Sequence, residues 1–141
     1  MIKRTTYPLL LLLTTTFVEA GLGDLNPLNF FRKNKEFEKV VPTLEEQRTA
    51  IELYQQGKNA LQAGKEGRAV RTFREITKEY PHTDVAPNAF SRLGEIYRDS
   101  RKWEKSFDTF QEIIDRYPDY EGFEETVARQ FEIAEALMQG A

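Results

Sequence analysis

Between residues 43 and 139 the apolar positions recur at intervals of three and four, the period of helices that each bury one face. Leu44, Gln47, Ile51, Tyr54, Lys58 and Leu61 make the largely apolar stripe expected of a first helix. Thr43 and Glu46 predict its start as a capping box, and Ala63-Gly64 its end at a left-handed cap. Ala69, Val70, Phe73, Ile76 and Tyr80 form the stripe of a second helix, which Pro81 stops. Thr83-Asp84 is the expected cap of a third, with Pro87 in its first turn and Ala89, Phe90, Leu93, Gly94 and Tyr97 on its buried face. A fourth spans Trp103 to Arg116, burying Trp103, Ser106, Phe107, Phe110, Ile113 and Ile114, and Pro118 ends it. A fifth, from Gly122 to Gln139, carries Val127, Phe131, Ile133, Ala134, Leu137 and Met138.

The pattern repeats. Leu53, Gly57, Ala69, Phe73 and Tyr80-Pro81, shifted by 37 residues, become Phe90, Gly94, Ser106, Phe110 and Tyr117-Pro118. Small residues fall on small and aromatics on aromatics, the mark of stacked helix pairs. A mid-helix glycine costs near 1 kcal/mol of propensity, which is reasonable where another helix must approach closely. Gly57, Gly94 and Ala134 are the expected points of approach, with Ala69 and Ser106 facing the two glycines. The fold class is therefore all-α, a solenoid of antiparallel helix pairs of about two and a half repeats: near 50–83, near 87–120, and a half repeat over 121–141.

Upstream the pattern changes character. Lys3 and Arg4 precede a short apolar run from Leu9 to Val18, and Val18-Glu19-Ala20 has the small-residue spacing of a signal-peptidase site. Residues 1–20 thus read as a secretory leader cleaved between Ala20 and Gly21, too short and too rich in threonine for a spanning helix. Residues 21–42 read as a linker, with 28–40 as its candidate helix. Its Phe30-Phe31 pair would insert into a membrane surface or partner groove, or pack loosely on the first repeat, the reading favoured here. The domain proper is 43–141.

Composition narrows the function. Losing Lys3, Arg4 and Glu19 with the leader takes the net charge from −3 to −4, against a nucleic-acid partner. The absence of cysteine excludes disulfides, thiolate metal sites and a lipidated cysteine, and suits a periplasmic destination. His82 is the only histidine and falls in an inter-repeat turn, as a solvated turn residue. Glu45-Glu46 and Glu124-Glu125 stand at helix starts, where they oppose the helix dipole. Gly64 and Gly67 flank a helix–helix turn rather than a phosphate loop. The expectation is a protein that is not an enzyme and holds no cofactor or metal.

The small–aromatic–proline pattern resembles the tetratricopeptide repeat, whose unit is about 34 residues, here lengthened in the connecting turn. Tyr80-Pro81-His82-Thr83, Tyr117-Pro118-Asp119-Tyr120 and Ala128 to Glu135 are similar to the BamD-like outer-membrane assembly lipoproteins. The chain departs from that branch in lacking a lipobox cysteine and in stopping after the first helix of a third repeat. The resemblance implies a scaffold in the bacterial cell envelope, in the periplasm or peripherally on the outer membrane, engaged in outer-membrane protein assembly. An adaptor for peptidoglycan or division machinery, and a truncated structural fragment without its own partner, are the alternatives. It also implies a partner-binding inner face formed by Tyr54, Lys58, Leu61, Ser91, Glu95, Arg98, Phe131 and Glu135. Apolar surface at Ile133, Leu137 and Met138, with no helix to follow, predicts self-association or partner docking through the last helix.

Overall fold

The computed structural model of the chain describes residues 40–140. The expected leader, its cleavage point and the linker up to residue 39 lie outside the described residues, and Val40 is not helical. Five helices follow one another: α1 (Leu44–Gln62), α2 (Glu66–Glu79), α3 (Ala86–Asp99), α4 (Trp103–Arg116) and α5 (Phe123–Met138). No strand occurs among the described residues. The main packing contacts run from each helix to the next in sequence, α1 on α2 through to α4 on α5. This is the all-α solenoid expected from the repeat.

The capping box of α1 forms in full. The Glu46 amide donates to the Thr43 hydroxyl at 3.2 Å, and the Thr43 amide donates to Glu46 Oε2 at 2.7 Å. Both Thr43 bonds favour the charged form and hold the Glu46 carboxyl below its usual range. At the other end Gly64 takes φ +69°, its amide donating to Leu61 O at 2.9 Å while that of Lys65 donates to Ala60 O at 2.8 Å. One repeat later Arg101 makes the same turn at φ +56°, with the bonds Arg101 to Arg98 O and Lys102 to Tyr97 O both at 2.8 Å. The α3 start differs from expectation. Thr83 is buried and its hydroxyl donates backward to Tyr80 O at 2.7 Å, so α3 begins without a side-chain cap.

Each helix pair closes on a glycine. A Cβ on Gly57 would lie 2.5 Å from Phe73 Cε1, and one on Gly94 would lie 2.7 Å from Phe110 Cζ. Each ring therefore rests on bare helix backbone. Beside the second contact Ser106 Oγ donates to Gly94 O at 2.7 Å, fully buried, with Ala69 at the same place in the first pair. The buried face of α1 is Ala50, Gly57 and Ala60, with Leu53 packed beside them, while Leu44 and Ile51 face solvent. The expected stripe of large residues is thus displaced around the helix, because the Phe73 ring selects the side where α1 has least bulk.

The third first helix also corrects its expectation. Keeping the 37-residue register, buried Ala89 and Ile96 of α3 map onto buried Thr126 and Ile133 of α5. Gly94 then maps onto Phe131, not Ala134.

Two apolar clusters make up the core. One is built on Ala69, Phe73, Ile76 and Leu93, the other on Phe90, Phe110, Ile113 and Ile133. Tyr117 packs on both. Its hydroxyl donates to Pro81 O at 2.6 Å, so the second Tyr-Pro turn is tied to the first. Burial pushes its phenol up to about 12.

Candidate functional site: the face of the first helices

On α1, Ile51, Tyr54, Lys58 and Leu61 follow one another at helical spacing along a single side. The first core fixes the Tyr54 ring, which lies 5.7 Å from Phe73 centroid to centroid. Lys58 Nζ sits 5.7 Å from the Tyr54 ring centroid, within cation–π reach. From α3, Arg92 lies near Tyr54 and pairs with Glu95 Oε2 at 3.0 Å. The nearby Tyr54 hydroxyl is the largest cause of the raised Arg92 pKa, with Glu95 adding to it. The inter-repeat turn supplies Tyr120, whose hydroxyl donates to Asn88 Oδ1 at 3.0 Å and lies near Tyr54 and Ser91. Burial chiefly, then Tyr54 and Glu125, raise its phenol above the ordinary tyrosine value.

Tyr54, Lys58, Ser91 and Glu95 are thereby brought to one connected surface. Arg92, Asn88 and Tyr120, which the sequence did not single out, complete it. Only Tyr120 left a signal, as an aromatic at the place Thr83 holds one repeat earlier. Leu61 packs partly into the first core, and Arg98 pairs with Asp99 at 3.0 Å. Glu135 is exposed on α5. Phe131 does not share this side: the repeat register gives it to the glycine positions and places Ala128, Glu132 and Glu135 with Ser91, Glu95 and Arg98. Ile133 is a correction of a different kind. It is 1% exposed, inside the second core, and Leu137 packs partly against that core, so of the three apolar residues expected on the surface only Met138 is fully exposed.

Taken in register, the face reads Tyr54, Lys58, Leu61, then Ser91, Glu95, Arg98, then Ala128, Glu132, Glu135. Its character runs from aromatic and cationic on α1 to acidic on α5. Such a gradient suits an extended polar segment held in one direction, with acidic groups toward Lys58 and basic groups toward Glu132 and Glu135. A groove of about 1000 Å³ runs along the inter-repeat turns, lined in part by the half-buried turn residue His82, near Glu46. Among the described residues no cluster of three or more His, Cys, Asp or Glu could hold a metal ion. No helix among them is long and apolar enough to cross a membrane.

The tetratricopeptide repeat family model matches residues 53–83 and 88–120. The first matched segment takes in the latter half of α1, all of α2 and the turn after it, and the second nearly all of α3, all of α4 and the turn after it. No curated protein and no solved structure matches.

Proposed function

We propose, taking the two matched segments as tetratricopeptide repeats, that the chain is an exported, non-catalytic scaffold of the bacterial cell envelope. Repeats of this kind imply a protein partner. The observation that carries the reading is the Tyr54–Lys58–Arg92–Glu95–Tyr120 surface, ordered by the core yet open on the side the first helices share. Export rests on the charged start, apolar run and Val18-Glu19-Ala20 of the leader. Placement in outer-membrane protein assembly, in the periplasm or peripherally on the outer membrane, rests on the BamD-like Tyr-Pro segments alone.

The experiment joins fractionation to site-specific capture. N-terminal sequencing of the mature chain is expected to begin at Gly21, in the periplasmic or outer-membrane fraction. A photo-crosslinking residue at Tyr54 is expected to capture a component of the barrel-assembly machinery. Capture of a division or peptidoglycan protein would move the scaffold to that machinery, and recovery of Met1 from the inner membrane would refute export.

A further inference from the structure

One face of α5 is apolar and covered by no helix of the described chain. Val127, Phe131 and Met138 are 39%, 64% and 78% exposed, and Ala134 completes the stripe at helical spacing. In the repeat register Val127, Phe131 and Ala134 are Leu53, Gly57 and Ala60 of α1, and Phe90, Gly94 and Tyr97 of α3, while Met138 falls on the turn residues Gly64 and Arg101. On both earlier helices a second helix covers that face, through Phe73 over Gly57 and Phe110 over Gly94. Ala86, Ala89, Leu93 and Ile96 of α3 pack into the first core, but their counterparts on α1 are Thr49, Glu52, Gln56 and Asn59, a polar face. The uncovered face of α5 is instead an apolar stripe, the usual mark of an interface.

Two observations select the occupant. Phe131 stands at the register position of the two glycines and is 64% exposed, so a helix bearing an aromatic like Phe73 or Phe110 at that point would meet its ring rather than bare backbone. The occupant needs a small residue there. Glu124, Glu132 and Glu135 run beside the stripe, and none makes an ion pair among the described residues, whereas Arg129 is held by Glu125 at 2.9 Å. A second copy pairing antiparallel through its own α5 would set that acidic row against itself, which is unfavourable. The geometry points to a cationic amphipathic helix of a partner protein, seated where the second helix of a third repeat would lie. Its small residue meets Phe131 and its Lys or Arg side chains meet Glu124, Glu132 and Glu135. The apolar stripe is separate from the Tyr54–Lys58–Arg92–Glu95–Tyr120 surface, although Glu132 and Glu135 beside it also close the α5 end of the first-helix face, and the inference shares with the proposed function the premise of a protein partner.

The test is fluorescence anisotropy of the full chain with three labelled synthetic helices of about five turns. The first has lysine flanks and alanine at the centre of a leucine face. The second replaces its lysines with glutamate, and the third its central alanine with phenylalanine. The first is expected to bind saturably and at least about ten-fold more tightly than the others. Phe131→Glu, checked for unchanged circular dichroism, is expected to weaken it by about ten-fold or more, while Tyr54→Ala leaves it unchanged. Equal binding of the lysine and glutamate forms, or no saturable binding, overturns the proposal. Binding lost on Tyr54→Ala but kept on Phe131→Glu also overturns it, and leaves the scaffold reading standing. A concentration-dependent dimer that Phe131→Glu disperses, seen by light scattering, would give the face to a second copy. Displacement of the lysine helix by a peptide of residues 21–39 would give it to the chain's own N-terminal stretch.

Discussion

At the scale of single residues the two helix pairs depend on missing atoms. Gly94 is buried, and any side chain there meets the Phe110 ring, itself only 1% exposed. Gly94→Leu gains helix propensity of near 1 kcal/mol but overpacks a closed site, typically at about 1–3 kcal/mol. The expected outcome is a lower Tm, and an unchanged or raised one would mean the ring can leave. Tyr117 carries a second expectation. Its phenol is raised from 10.0 to about 12 by burial, so the folded state holds the proton more tightly than the unfolded state. That contribution is fully present below pH 10 and is lost as pH rises through the interval from 10 to 12. Tyr117→Phe removes the bond to Pro81 O and should lower stability at pH 8, by about 0.5–1.5 kcal/mol. It should also flatten the fall between pH 10 and 12 relative to the parent, which paired urea titrations would show.

At the scale of the helix and its turn, equivalence between repeats exposes a point of strain. Gly64 and Arg101 close the same turn with the same two backbone bonds, but only glycine takes positive φ without crowding its Cβ. Arg101 is exposed and forms none of the ion pairs among the described residues, so its side chain offsets little of that cost. Arg101→Gly is expected to stabilise by about 1 kcal/mol, read as a higher urea midpoint at unchanged slope. Helix ends and pairing were legible in the chain because they rest on local chemistry: a capping box at Thr43, proline after Tyr80 and Tyr117, glycine at 57 and 94. The buried side of α1 was not. A stripe drawn through Leu44, Ile51 and Tyr54 follows bulk, whereas α1 buries Ala50, Gly57 and Ala60, the side that admits Phe73. The α5 equivalence misled for the same reason. Ala134 matched glycine in size, but only the backbone register shows that Phe131 holds its place. Tyr54, Lys58, Ser91 and Glu95 of the connected surface were legible in the sequence. Arg92 and Tyr120 join it through contacts between repeats, which periodicity along one helix does not encode.

At the scale of the whole molecule, contacts between sequential helices make stability a sum of neighbouring interfaces rather than one shared core. The middle helices α2, α3 and α4 have a main neighbour on both sides, while α5 packs chiefly on α4, with Phe90 of α3 in the same cluster. Ile133 is its only fully buried large apolar residue, set against Phe90, Phe110 and Ile113, and Gln130 Nε2 donates to Gln111 Oε1 at 2.6 Å beside it. Local opening free energies follow such differences in burial, so α5 amides should exchange hydrogen faster than those of α3 in the free protein. Ile133→Ala removes the anchor at a typical cost of about 2–5 kcal/mol. Because that anchor touches only the second core, the loss should fall on α5 first. Hydrogen exchange by mass spectrometry is expected to show α5 losing protection almost completely while α1 and α2 keep theirs. Uniform loss of protection from α1 to α5 would mean that the five helices unfold as one unit, and that α5 is held by more than the second core.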